Sequence, residues 1–195
     1  MGLNKNPGEQ LRSKPILLSL FFSTIILALS YVNVDTYNIL PIKSTYNNLT
    51  IDAQKQVTCL AENIYFEAAH EPLDGKKAVA FVTLNRVQSG YASNICDVVQ
   101  QKTGYTCQFS WYCDTTFTSR RLTIKQTSLY NDILELSTNL FLNFERMTDV
   151  TNGATYYHAD YVNPQWTRLQ KEKQIGRHIF YKSKRDQIDR NKGVI

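Results

Sequence analysis

Glu67 is the carboxylate whose setting best suits acid–base chemistry. Val57, Leu60, Ala61, Ile64 and Ala68 recur at helical spacing and mark one apolar stripe. On a helical wheel of about 100° per residue, Glu67 falls about 20° from Leu60 and about 60° from Ile64, at the border of that stripe, whereas Glu62 points away. A carboxyl at such a border is partly desolvated, which raises its pKa and lets it keep a proton near neutral pH. An acid of that kind can protonate a leaving-group oxygen. The plainer alternative is a boundary glutamate paired with a lysine or arginine.

The four cysteines, Cys59, Cys96, Cys107 and Cys113, admit two uses. On the exported side of a membrane an even number reads as two disulfides, with three connectivities open. Cys107 and Cys113 are near enough in sequence to close a short loop, which would leave Cys59 with Cys96. The alternative is a metal site completed by His158 or His178. No cysteine pair has the CxxC spacing of a zinc site and exported thiols oxidise, so no metal is expected. The chain carries no P-loop or dinucleotide fingerprint, so no cofactor is expected either.

Export follows from the N-terminus. Residues 16–34 are uncharged and largely apolar, close to the roughly 20 residues of a membrane-crossing helix. Lys5, Arg12 and Lys14 precede them, so residues 1–15 are expected in the cytoplasm and the chain beyond about residue 35 outside. A retained signal-anchor is favoured because the apolar run continues through Tyr31 and Val32; the alternative is secretion after cleavage near Ser30. The formal charge of +5 is a C-terminal feature, with nine basic and three acidic residues between Arg168 and Lys192. A basic patch can meet nucleic acid, anionic lipid or an anionic wall polymer, and the topology argues against nucleic acid. With 43% apolar residues and thirteen Gly plus Pro, the chain is neither collagenous nor of low complexity.

The elements that would position Glu67 can be read in order. Residues 35–53 read as a spacer and residues 54–184 as one domain, with a basic tail at 185–195. The first helix runs from Gln54 and stops near Glu71, ahead of Pro72. Asp74 is expected to cap a second helix with Ala78, Val79, Val82 and Val87 on its buried side, and Asn94 a short third one through about Gln101. Thr103 to Thr118 reads as a loop, and Lys125 to Arg146 as a long helix striped by Leu129, Ile133, Leu136, Leu140 and Phe144. Ala154 to His158 and Arg177 to Tyr181 read as strands of a small sheet, with Tyr156 and Tyr157 on opposite faces. Asn85 and Arg86 are expected to tie the core to a loop.

Several blocks carry a family resemblance. Glu62-Asn63-Ile64-Tyr65-Phe66-Glu67-Ala68, Glu71-Pro72, Gly75, Ala78-Val79-Ala80 and Leu84-Asn85-Arg86-Val87 come first. Ile95-Cys96-Asp97-Val98-Val99, Gln108-Phe109-Ser110-Trp111, Gly153 to His158, Pro164-Gln165-Trp166 and Ile175 to Tyr181 follow. In this order, over roughly Val57 to Lys182, they resemble the SleB/CwlJ family of cell-wall hydrolases. The resemblance implies a peptidoglycan-degrading domain with a lysozyme-like, lytic-transglycosylase-like fold. That fold is α+β and mostly helical, with a small C-terminal β-sheet, and its single catalytic glutamate stands in the Tyr-x-Glu-Ala block, here Glu67. Relatives commonly have Arg-Gly where this chain has Ala69-His70, a difference that bears on how the helix ends.

On that reading Glu67 protonates the bridging oxygen between N-acetylmuramic acid and N-acetylglucosamine. A two-carboxylate glycosidase needs a second acid. Asp74, Asp97 and Asp114 are the candidates, and none has a sequence reason to stand near Glu67. A transglycosylase instead takes the attacking hydroxyl from the sugar itself. Gln108 and Ser110 can bond acetamido groups, Phe109, Trp111, Tyr157 and Trp166 can stack on sugar faces or pack the core, and His158 can orient Glu67 or substrate. Glu71 is a second acid or, more simply, a partner for backbone donors. The expected partners are glycan strands and, through the N-terminal helix, the membrane, with the protein a monomer. A compact, anchored build also suits a phage lysis enzyme. The rivals are a stem-peptide amidase or peptidase using a metal or a Cys-His pair, and a non-catalytic wall-binding module. Excess chelator is expected to leave release of soluble fragments from sacculi unchanged, and abolished release would favour the metal enzyme.

Overall fold

The computed structural model describes residues 42–114 and 117–183. The membrane segment expected at 16–34 and the tail at 185–195 lie outside them, and no helix among the described residues is long and apolar enough to cross a membrane. The helices are α1 (Ile42–Asn47), α2 (Ile51–Ala68), α3 (Leu73–Gln88), α4 (Ile95–Val99), α5 (Phe117–Ile124) and α6 (Ser128–Asn143). A short hairpin, β1 (Lys102–Thr103) and β2 (Thr106–Cys107), follows α4 and leads into a 3-10 turn at Ser110–Cys113. After α6 and a second 3-10 turn at Phe144–Arg146, strands β3 (Tyr156–Ala159), β4 (Leu169–Ile175) and β5 (His178–Ser183) form an antiparallel sheet in the order β3-β5-β4.

Part of the expected spacer is helical. α2 starts at Ile51 rather than Gln54 because the Thr50 hydroxyl caps it, accepting from the Ala53 amide at 3.2 Å. Tyr46 and Thr58 share a hydroxyl hydrogen bond of 2.9 Å that joins α1 to α2. α2 ends at Ala68, and the chain turns through Ala69 and His70 without a positive φ, so no glycine is needed there. Asp74 lies in the first turn of α3 but makes no cap; Pro72 occupies that place. Asn94 does cap α4, accepting from the Asp97 amide at 2.9 Å. α6 begins behind Thr127, later than Lys125, because the Thr127 hydroxyl accepts from the Tyr130 amide.

α3 is the axis of the domain. On one side Ala80, Phe81 and Leu84 join Leu60, Ile64, Ile133 and Leu140 in the helical core, and on the other Ala78 and Val82 meet Ala154 and Phe180 at the sheet. A helix with partners on both sides is buried almost all round. Its buried set is therefore wider than one stripe, and Val87, expected inside, is only half-buried. Cys59 is joined to Cys96, tying α2 to α4, and Cys107 to Cys113. In the chain-entropy model, closing a loop of the first bridge's length restricts the unfolded chain by roughly 4 kcal/mol.

Three elements escape the periodicity argument. The β1–β2 hairpin stands where a loop is expected, α5 fills the interval between that loop and the long helix, and β4, Leu-Gln-Lys-Glu-Lys-Gln-Ile, is an edge strand with mostly exposed side chains and a bulge at Lys171/Lys173. With its partly buried residues spaced three apart it has no period-two apolar alternation to detect, and its lysines protect the free edge from pairing.

Glu71 locks the sheet to the α2–α3 corner. Its side chain is 11% exposed and its carboxylate accepts from the Arg177 amide at 3.2 Å, as the backbone-partner reading expects. Arg177 belongs to the two-residue β4–β5 turn, whose first residue, Gly176, has φ +56°. A Cβ on Gly176 would lie 1.8 Å from Glu71 Oε2, and one on Gly75 2.8 Å from Glu71 Cβ. Asn85 fixes the other approach to the sheet, donating to Asp149 Oδ2 and the Ala154 carbonyl, each at 2.9 Å. Replacing it strands buried acceptors. Asn85→Ala is expected to lower unfolding free energy by about 2 kcal/mol in denaturant titration, with an unchanged m-value.

Candidate active site

Glu67 stands in the last turn of α2, where the helix meets the sheet, and lines a cleft of ≈ 530 Å³. Burial pushes its carboxyl above the ordinary carboxylate range, and a hydrogen bond from the Tyr157 hydroxyl to Oε2 at 3.1 Å opposes that rise. Tyr157 is in turn held well above the ordinary tyrosine value, first by burial and then by the charge of Glu67, so its phenol stays a donor. A half-buried acid with one fixed donor on one oxygen leaves the other oxygen to carry a transferable proton.

The cleft runs along the edge of β3, and residues 155–159 all contribute to its lining. Tyr156 and Tyr157 do point to opposite faces, yet both rings reach it because it wraps around that edge. Tyr157 turns toward Glu67, and Tyr156 meets the Tyr91 hydroxyl at 3.2 Å and packs edge-on to Trp166. Trp166 is 39% exposed and offers a face to ligand.

His158 does not orient Glu67. Its Nδ1 donates to the Ala159 carbonyl at 2.8 Å, so Nε2 accepts from the Tyr181 hydroxyl at 3.0 Å. The ring stacks on Tyr181 and abuts Trp166, which makes it a support for that wall.

The 108–111 block divides by alternation. Phe109 and Trp111 are buried in the helical core, with Trp111 stacked on Phe66 and its Nε1 donating to Asn63 Oδ1 at 3.0 Å. Both residues line the cleft, yet their burial fits the core-packing alternative better than sugar stacking. Gln108 and Ser110 are exposed between them and line the cleft. Gln108 Oε1 accepts from Arg86 at 2.9 Å, which leaves its amide nitrogen to donate.

Glu62 is also corrected. It is buried, not solvent-facing, and pairs with Arg121 and with Lys125, the latter at 3.4 Å. Arg121 belongs to α5, the helix the sequence reading lacks, which covers that side of α2. Among the described residues that line the cleft, Glu67 is the one carboxylate. Asp74 pairs with Lys77 on the surface and Asp97 is engaged with Ser93 and Asn94. All four cysteines are in disulfides, so none is available as a thiolate nucleophile.

Two lining residues were missed as site residues. Arg86 was read only as a tie between core and loop, which it is, donating to the Thr155 carbonyl, Gln101 and Gln108. It also lines the cleft. His178, which the sequence offers only as a metal ligand, lines the cleft beside the Tyr157 ring, centroids 5.1 Å apart. Its place in a strand next to a Gly turn was the available signal.

A family model described as Cell Wall Hydrolase matches residues 70–181. The match begins just after Glu67 and takes in Tyr157, Trp166 and His178. No curated protein matches the chain. Among solved structures, the catalytic domain of the Bacillus cereus SleB protein is 26% identical, covering 66% of this chain and 91% of that one, with a TM-score of 0.47. The catalytic domain of the germination-specific lytic transglycosylase SleB from Bacillus anthracis is 26% identical, covering 70% and 98%, with a TM-score of 0.46. With more than half of its length matched by the family model, this chain belongs to the cell wall hydrolase family.

Proposed function

We propose that the protein cleaves the glycan strand of peptidoglycan between N-acetylmuramic acid and N-acetylglucosamine, with Glu67 as general acid. The observation that carries this reading is a half-buried glutamate, raised in pKa and bonded by Tyr157, as the one carboxylate among the described cleft residues. The strand lies along β3, with Trp166 and Tyr156 against sugar faces and Gln108 and Ser110 toward acetamido groups. Protonated Glu67 gives its proton to the bridging oxygen, and positive charge develops at the anomeric carbon of the muramic ring. With no second carboxylate among the described cleft residues to activate water, the ring's own 6-hydroxyl closes on that carbon, and its proton returns to Glu67. The product is a 1,6-anhydro end, which makes the enzyme a lytic transglycosylase. A monomer anchored by residues 16–34, with its domain on the exported side, completes the proposal, and a phage lysis enzyme is the setting it suits best.

Mass spectrometry of sacculi digested with residues 45–195 tests the bond. Fragments ending in 1,6-anhydromuramic acid are expected, with Glu67→Gln slower by about a thousandfold. Reducing-end sugars would instead mean a hydrolase, and free stem peptides would overturn the glycan reading. Glu67 must be protonated to act, so kcat/KM should fall as pH rises through its elevated pKa. Tyr157→Phe removes the bond that favours the carboxylate, so that fall should move to higher pH while the rate drops by about tenfold, about the worth of one hydrogen bond.

A further inference from the structure

His178 opens β5, is 8% exposed, and lines the Glu67 cleft. Its Nδ1 is buried without a hydrogen-bond partner and stands 3.9 Å from Glu71 Oε1. That carboxylate is itself held by the Arg177 amide and enclosed by Gly75 and Gly176, so it cannot swing away. A carboxylate facing Nδ1 favours the tautomer with its proton there. Nε2 then carries the lone pair and is the ring nitrogen left to accept a proton. Other charges face the ring from each element around it. Glu71 from the α2–α3 corner and Asp160 after β3 favour imidazolium, whereas Arg177 in the turn and His158 on β3 oppose it. Burial outweighs them and holds His178 below the ordinary histidine value, so the ring is neutral at neutral pH.

We infer that His178, oriented by Glu71, is the first acceptor of the attacking hydroxyl's proton. The inference rests on the glycan-cleaving reading and gives its second proton transfer a route. As the bond from the anomeric carbon to the bridging oxygen breaks, that oxygen takes the proton of Glu67. As the 6-oxygen bonds to the anomeric carbon, its proton passes to His178 Nε2. The imidazolium then returns the proton to the Glu67 carboxylate, directly or through solvent, and both groups are reset. Tyr157 touches both groups, in ring contact with His178 and bonded to Glu67.

The pH dependence of kcat/KM, measured with the full chain on soluble uncross-linked glycan strands, tests the assignment. Wild type should show two limbs: an acid limb from protonation of His178 and an alkaline limb from ionisation of Glu67. His178→Gln should lose about a hundredfold in kcat with little change in KM, and lose the acid limb while keeping the alkaline one. Glu71→Gln should move the acid limb to lower pH, since it removes a charge that favours imidazolium. A His178→Gln protein with wild-type circular dichroism and melting temperature that keeps both limbs would overturn the role. Should His178→Gln fail to fold, Glu71→Gln decides: a displaced acid limb supports the assignment and an unmoved one rejects it. A fully active Glu67→Gln overturns the glycan reading and this inference together, whereas an inactive Glu67→Gln beside an unaltered His178→Gln profile removes His178 alone.

Discussion

The arrangement of the cleft depends on a single buried cation. Arg86, 3% exposed near the end of α3, brings a guanidinium into the interior, and a charge there must be met by fixed acceptors. It donates to the Thr155 carbonyl just ahead of β3 and to the side chains of Gln101 and Gln108 on either side of the β1–β2 hairpin. The rings of Tyr91 and Tyr156 lie 4.6 and 5.5 Å from its centre. Helix, sheet and hairpin loop, the three walls around Glu67, are thus referred to one planar group. A lysine carries the charge but not the fork that reaches several acceptors at once.

The same logic repeats at smaller scale along α2 and α3. Asn63, wholly buried, donates to the Thr83 hydroxyl at 3.0 Å and accepts from Trp111, so the helical core and the 108–111 loop share a polar pin. The Cys107–Cys113 bridge closes that loop behind it. Inside the closed segment, side chains alternate between core and cleft: Phe109 and Trp111 anchor, while Gln108 and Ser110 face outward. Cleft-facing polar groups on a loop gain the rigidity of the hydrophobic core through their immediate neighbours.

Much of this was legible in the residues. Glu67 stood out because a carboxylate at the edge of a helical stripe costs desolvation, and the cleft lies at that edge. The capping role of Asn94 and the tie made by Asn85 and Arg86 also followed from residue type and spacing, and the observed disulfides are the pairing that the closeness of Cys107 and Cys113 favoured among three open ones. What escaped was set by tertiary context. Glu62 looked solvent-facing because α5, which covers it, has too short and too polar a stripe to announce itself. β4 is built of Lys, Glu and Gln because it is an exposed edge, and its strand state is fixed by β5 rather than by its own residues. The two sides of α3 blurred its period, and residue type does not tell which histidine nitrogens are engaged: both are in His158, whereas His178 Nδ1 has no hydrogen-bond partner.

The nest around Glu71 has a bearing on how such a domain can diverge. Glu71, Gly75 and Gly176 occupy one volume: a methyl group at position 176 collides with the carboxylate, and one at position 75 meets the same side chain. A shorter residue at 71 would relieve the collision at 176 but not the one at 75, which is with the Cβ of residue 71 itself, and it would leave the Arg177 amide without its acceptor. Single steps at any of the three are therefore costly, and a side chain at 176 stays strained at φ +56° whatever stands at 71. These positions, a hundred residues apart at the extremes, form one heritable unit, and lineages of this fold should exchange them together or not at all.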